Sequence, residues 1–418
     1  MNPFPLVLAT LRRNRFSSIL FVSVIALAVA LGIAISAQER ALRQGSARAA
    51  DRFDLIVAAP GSQADLLFSV VYLDSRAVEL LSPEMTANIL QGGRADFAAP
   101  IGFGDNYNGD PVVGTTSAFV DHLSRGLQSG RLFARIDEAI VGALSPNAVG
   151  DRLAIRHGHG NGAGQDADNV MDARENGGQA IVEEEGHNHI DVTVVGRMKP
   201  TGTPWDRAIV VPVEYNWFAH GMGTGHAPGD ERIGPPYDAE YLPGVPAIVV
   251  KPENVAAAYG LRNRYRTIES TAFFPAEVLV ELYSVMGNVA RIMGALTLAA
   301  QILVVTAILA GILALLDLQR QRFAMLRALG APARFIFAVV WLYVGGLIAS
   351  GAIIGLPLGW AAASVISSII ASQTGVSMAA HVGSSELALV GALLALGMLL
   401  ALVPAALTYR KPVVEALR

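Results

Sequence analysis

Three long apolar stretches between residues 293 and 408 constrain this chain more than any other feature. They run over 293–316, 335–370 and 387–408, and a fourth lies far upstream at 16–37. A helix needs about 20 apolar residues to cross a hydrocarbon layer of ~30 Å, and inside lipid only structures that satisfy their own backbone persist. The pattern predicts an α-helical transmembrane protein with four spans and a large extracytoplasmic α+β domain between the first and second. Composition agrees: of 418 residues, 52% are hydrophobic and only 16% charged, which is little charge for a water-soluble chain of this size.

Charge sets the expected orientation. Arg12, Arg13 and Arg15 precede the first apolar run; Arg320, Arg322, Arg327 and Arg334 lie between the second and third; Arg410, Lys411 and Arg418 follow the last. The segment 371–385 carries neither Lys nor Arg. Cytoplasmic loops are enriched in these residues, so both termini and the 317–334 loop are expected on the cytoplasmic side of a bacterial inner membrane. The N-terminal run also has the shape of a secretory signal, but its length and the polar continuation at Gln38-Glu39-Arg40 favour an uncleaved anchor. Ten of the 31 basic residues and two of the 35 acidic ones fall in the inner segments, which leaves 21 against 33, a net charge of −12, elsewhere. That balance argues against nucleic acid as a partner. There is no cysteine, so neither disulfides nor thiolate metal sites arise.

The expected divisions are residues 1–37 for the N-terminus and first span, 38–292 for the outer domain with stalk helices, then spans 293–316, 335–370 and 387–408 around the segment 317–334, and a tail 409–418. Within the outer domain strands are expected at 53–59, 112–116, 151–156, 190–195, 208–213, 245–251 and 271–274. Helices are expected at 82–91, 138–150 and 253–259, and from 275 onward. Residues 104–110, 157–178 and 219–237 read as loops rich in Gly, Asn and Asp. A β-rich insert is expected over 140–235.

Chemistry-bearing motifs are few. The chain has no phosphate-binding Gly-rich loop, no nucleophile elbow and no paired-histidine zinc helix, so no catalytic residues are assigned. The apolar runs hold almost no charge, which argues against ion-coupled transport through them. Gly351, Gly355 and Gly359 recur every fourth residue and suit close helix packing in lipid. Asp206 and Arg207 read as a pair that locks a turn. Histidines form the one constellation: His157 and His159, His187 and His189, then His220 and His226. Imidazoles at such spacing suit zinc or related ions; solvent-facing side chains without a metal are the alternative, and both stay open here.

The segment Gln321-Arg322-Phe323-Ala324-Met325-Leu326-Arg327-Ala328-Leu329-Gly330-Ala331 resembles the cytoplasmic coupling segment of the FtsX-like permeases of ABC transporters. These include the MacB-type and lipoprotein-release proteins, and the outer pieces resemble a branch with His-rich periplasmic loops. The resemblance implies that ATP is bound by a separate ATPase dimer rather than by this chain, and that Arg322, Phe323, Met325, Leu326, Arg327, Leu329 and Gly330 contact it. It further implies a homodimer, a possible periplasmic binding or adaptor protein, and mechanotransmission: work done outside without substrate crossing the bundle. A membrane sensor or regulatory scaffold that relays periplasmic zinc or partner binding is the alternative.

Overall fold

A computed structural model of the chain describes residues 2–74, 76–157, 190–284 and 331–402, together with scattered positions between 287 and 330. The chain divides into a helical unit, residues 1–44, 285–371 and 378–418, and an α+β unit, residues 45–284 with 372–377.

The helical unit starts with an element that the apolar-run analysis did not separate. Helix α1 (Phe4–Arg13) buries Val7 while Phe4 and Leu8 stay exposed, and Arg12 and Arg13 occupy its last turn, where cations suit the helix dipole. Asn14 interrupts it before α2 (Arg15–Ala50), a helix of 36 residues. In α2 one face, Ile25, Val29 and Ile33, enters the core of the unit. Leu20, Leu27 and Leu31 lie on the exposed side.

The α+β unit opens with β1 (Leu55–Ala58), buried throughout, followed by α3 (Gln63–Tyr72), whose N-cap Ser62 accepts from the Asp65 amide. Leu66, Leu67, Val70 and Val71 make its buried face. Helix α4 (Pro83–Leu90) has Ser82 at its N-cap and proline in its first turn, the arrangement that the missing proline N–H favours. Strand β2 (Ala95–Tyr107) and β3 (Asp110–Thr115) form a hairpin in which Tyr107 faces Asp110. The segment 104–110, read above as a loop, is therefore the end of one strand and a two-residue turn. Asn108 and Gly109 both have positive φ, as a type I′ turn requires.

Helix α5 (Ser117–Ser124) and β4 (Leu127–Gly130) follow. Residues 138–150 do not form the expected helix: β5 (Glu138–Val141) is a buried strand, and Arg197 donates to the carbonyl oxygens of Gly142, Ala143, Ser145 and Asn147 beyond it. A guanidinium that satisfies four carbonyls removes the need for helical pairing there. Short strands β6 (Arg152–Leu153) and β7 (Arg156–His157) precede β8 (Val192–Met198), where buried and partly exposed residues alternate. After a single 3-10 turn, Pro204–Asp206, come β9 (Ile209–Pro212), α6 (Val213–Ala219), β10 (Ala247–Pro252), α7 (Val255–Tyr265) and β11 (Thr271–Phe273).

These strands make one sheet in the order β11-β1-β10-β2-β3-β9-β5-β8-β4, with β6 on β8 and β7 on β2. Strand β2 belongs to both halves. Its first part pairs with β10, from Pro252↔Ala95 to Ala247↔Ile101, and its second with β3. The register shifts between Phe103 and Asp105, a bulge that bends the strand. β3 and β9 pair in parallel, as do β5 and β8, so the sheet is mixed. Beneath it Phe53, Phe119 and Trp205 pack edge to face or tilted, with ring centroids 5.4–6.1 Å apart.

The helical unit resumes with α8 (Ala333–Thr374), 42 residues, and α9 (Ser384–Leu400), 17 residues. The four-span expectation is corrected at this point. Among the described residues only α2 and α8 are long and apolar enough to cross a membrane. At 1.5 Å per residue α9 spans about 25 Å, short of a ~30 Å core. The expected span 293–316 lies outside the described residues except for scattered positions. The fold is an α+β unit accompanied by two long apolar helices.

Candidate functional site

Of the seven residues expected to meet an ATPase, Arg322, Phe323 and Arg327 lie outside the described residues. Met325 and Leu326 are helical, and the helix closes through Leu329 N–H on Met325 O and Ala331 N–H on Leu326 O, with Gly330 at φ +92°. That six-to-one bond over a left-handed glycine is a Schellman ending, and it frees the chain to restart as α8. Leu326 packs against the core of the helical unit, whereas Met325 is 51% and Leu329 85% exposed. Two large apolar side chains on one short basic segment form a surface that water covers poorly.

On α8 the glycine row lies against α2. A Cβ at Gly351 would stand 2.5 Å from Ile25 Cγ2, at Gly355 2.6 Å from Ala26 O, and at Gly359 2.7 Å from Ala30 O. Helix backbones approach that closely only where side chains are absent. Further along α2, Arg40 Nη2 donates to Glu386 Oε1 at 2.6 Å, Ser36 Oγ donates to the same oxygen at 2.8 Å, and the Gly383 amide donates to Oε2 at 2.8 Å. Glu386 is fully buried. This three-donor cradle joins α2 to the start of α9. In the sequence Glu386 is only a lone acid beside an apolar run; an acid so placed demands a partner.

The histidines do not assemble. His159, His187 and His189 lie outside the described residues, and His157 sits in β7. His220 Nε2 is 3.6 Å from Asp105 Oδ1, while His226 Nε2 is 3.8 Å from Glu214 Oε1. Among the described residues no three His, Cys, Asp or Glu side chains come together as a metal would need. Asp206 and Arg207 do not pair with each other either. Asp206 accepts from Thr201 and from the Gly202 amide, and Arg207 turns to Asp110.

What the fold creates instead is a buried carboxyl on α6. Glu214 receives the Gly234 amide, His226 lies beside it, and the Tyr237 ring packs 5.4 Å from the His226 ring. Burial pushes the Glu214 carboxyl up to about 7 from its ordinary 4.5, against the pull of the Gly234 amide. The folded unit therefore holds this proton more tightly than the unfolded chain does. Its stabilising contribution is full below about pH 4.5, declines as pH rises and is gone above about 7. The difference corresponds to about 3 kcal/mol. Thermal melting of the full chain from pH 5 to 8 should show that loss, and Glu214→Gln, which keeps the neutral shape, should flatten the profile. An identical profile in the variant would rule out Glu214 as its source.

Residues 292–413 match the family model described as FtsX-like permease C-terminal. They include the Met325–Gly330 turn, the glycine row and α9. The match covers less than a third of the chain and none of residues 45–284. No curated protein matches the chain. The finer resemblance to MacB-type or lipoprotein-release proteins with His-rich loops is thereby corrected: similarity is confined to the C-terminal region, and two long helices, not four, are described. What stands is a membrane-associated chain, with two long apolar helices and a C-terminal region similar to FtsX-like permeases.

Proposed function

We propose that the chain is the permease subunit of an ABC transporter, driven by a separate ATPase, and that it turns nucleotide-dependent motion into work by its α+β unit. The observation that carries this reading is the exposed Met325–Leu329 turn, set in the region that matches the FtsX-like model and directly ahead of a 42-residue helix. An ATPase would cover those two side chains. Helix α2 begins at Arg15 and continues without a break to Ala50, past the boundary of the α+β unit at 44/45. Helix α8 begins beside Arg334 and runs on to Thr374, past the boundary at 371/372. Uninterrupted helices of about 54 and 63 Å suit a lever. Both carry arginine at their first turns, in keeping with a cytoplasmic start in a bacterial inner membrane. On this reading the α+β unit faces the periplasm, both termini are cytoplasmic, two copies pair, and a periplasmic adaptor is a candidate further partner.

Affinity purification of the full chain from its host membrane should bring down an ABC ATPase, and the isolated complex should hydrolyse ATP. Leu329→Asp removes about 1.5–3 kcal/mol of apolar burial and should weaken the association by at least tenfold. Recovery of the chain without an ATPase, or equal recovery with Leu329→Asp, would count against the reading.

A further inference from the structure

Residues 375–383 join α8 to α9; together with the last turn of α8, from Ser372, they form a strap whose two halves are held separately. In the helical unit, Trp360 Nε1 donates to Ala380 O at 3.2 Å, and the Gly383 amide donates to Glu386. The first half, 372–377, belongs to the α+β unit. There Arg207 Nη1 donates to Ser372 O at 3.0 Å, and the Ser377 amide donates to Gly202 O at 2.9 Å. Gly375 lies so close to the turn that a Cβ would stand 2.8 Å from Pro204 Cα. Val376 is buried.

The receiving turn, 201–207, is stiff. Asp206, itself buried, accepts from the Thr201 amide, the Thr201 hydroxyl and the Gly202 amide, each at 2.7 Å. Trp205 roots the turn among Phe53 and Phe119. Arg207 is oriented by its second nitrogen, which donates to the buried Asp110 at 3.2 Å. A floppy surface loop would not have two bonded ends, a buried side chain and a glycine at the point of closest approach.

We infer that the strap is a tie: motion of α8 and α9 enters the α+β unit at the turn 201–207, with Arg207 the positioning residue that holds it. The tie adds non-covalent anchors to the covalent crossings at 44/45, 284/285, 371/372 and 377/378, and its role in transmission rests on the permease reading above. Arg207→Ala removes the charged donor to Ser372 O. Ser377→Pro removes the amide that reaches Gly202 O and leaves the turn itself untouched.

Hydrogen exchange on the full chain in lipid nanodiscs tests the attachment. Each variant should speed exchange across 372–377 about tenfold and leave 55–58 unchanged; unchanged strap rates in both variants would overturn the tie. The chain has no cysteine, so spin labels at Val149→Cys and Val255→Cys, both exposed, report on the α+β unit alone. With the co-purified ATPase, the ATP-dependent distance change should fall at least twofold in both variants. A wild-type change that persists in them would overturn the inference alone. No change in the wild type would overturn the permease reading and the inference with it.

Discussion

Trp205→Ala should destabilise the α+β unit by about 3–5 kcal/mol, the range for a large buried aromatic cut back to a methyl group. Trp205 is fully buried between Phe53 and Phe119, and neither ring can refill its volume without leaving its own contacts. For a unit of this size the melting temperature should drop by roughly 10 °C, measurable by calorimetry on the full chain. The loss should also reach the turn 201–207, because the indole sits between Pro204 and Asp206. Phe97→Leu, at the partly buried margin of the same cluster, should cost clearly less. Equal losses in both variants would show that the unit has no centre at Trp205.

Gly355→Leu should have the largest effect in the helical unit. Its first side-chain carbon would meet Ala26 O at 2.6 Å and Val29 Cβ at 2.7 Å. One of those atoms is backbone, so α2 and α8 must move apart. Overpacking of a tight contact typically costs 1–3 kcal/mol, occasionally more, and a lost van der Waals interface in lipid has no hydrophobic term to replace it. Gly346→Leu is the matched control on the same helix, since among the described residues nothing lies within 4 Å of its added Cβ. Thermal unfolding in a fixed detergent should separate the two by more than 5 °C. The same loss in both would indicate a response to bulk anywhere on α8 rather than to this contact.

The elements read correctly from the sequence are those with local signals. Strand β1 follows from the apolar run Leu55–Val57 and its stop at Pro60-Gly61; helix α4 from Ser82 and Glu84 at its start; α2 and α8 from apolar length. The misreadings share a cause. Residues 138–150 carry apolar and small residues that suit a helix, but Arg197, some fifty positions away, satisfies their carbonyls in an open turn. The 104–110 segment has loop composition, yet Asn108-Gly109 is a hairpin signal, and weighing the dipeptide over the composition would have found it. The short helix α1 was absorbed into the basic flank of the first apolar run.

The candidate site divides the same way. The glycine row was legible because spacing by four puts small residues on one helix face; which helix it meets was not. The exposed turn at Met325–Leu329 was reached through resemblance, and its exposure is a property of the fold. Glu214, His226 and Tyr237 lie on α6 and the irregular chain after it, without a periodic signal that would unite them.

From its residues alone the chain declares where it is apolar enough to form long helices, which ends of them are basic, and that its sequence contains no phosphate-binding Gly-rich loop. These follow from composition and short-range spacing, which act within a few turns of backbone. The three-dimensional fold alone decides that Arg40 meets Glu386, that Arg207 reaches the last turn of α8, and that a carboxyl on α6 is buried beside a histidine. Partners separated by a dozen to hundreds of positions are chosen by how the sheet and helices pack. No local pattern encodes that choice.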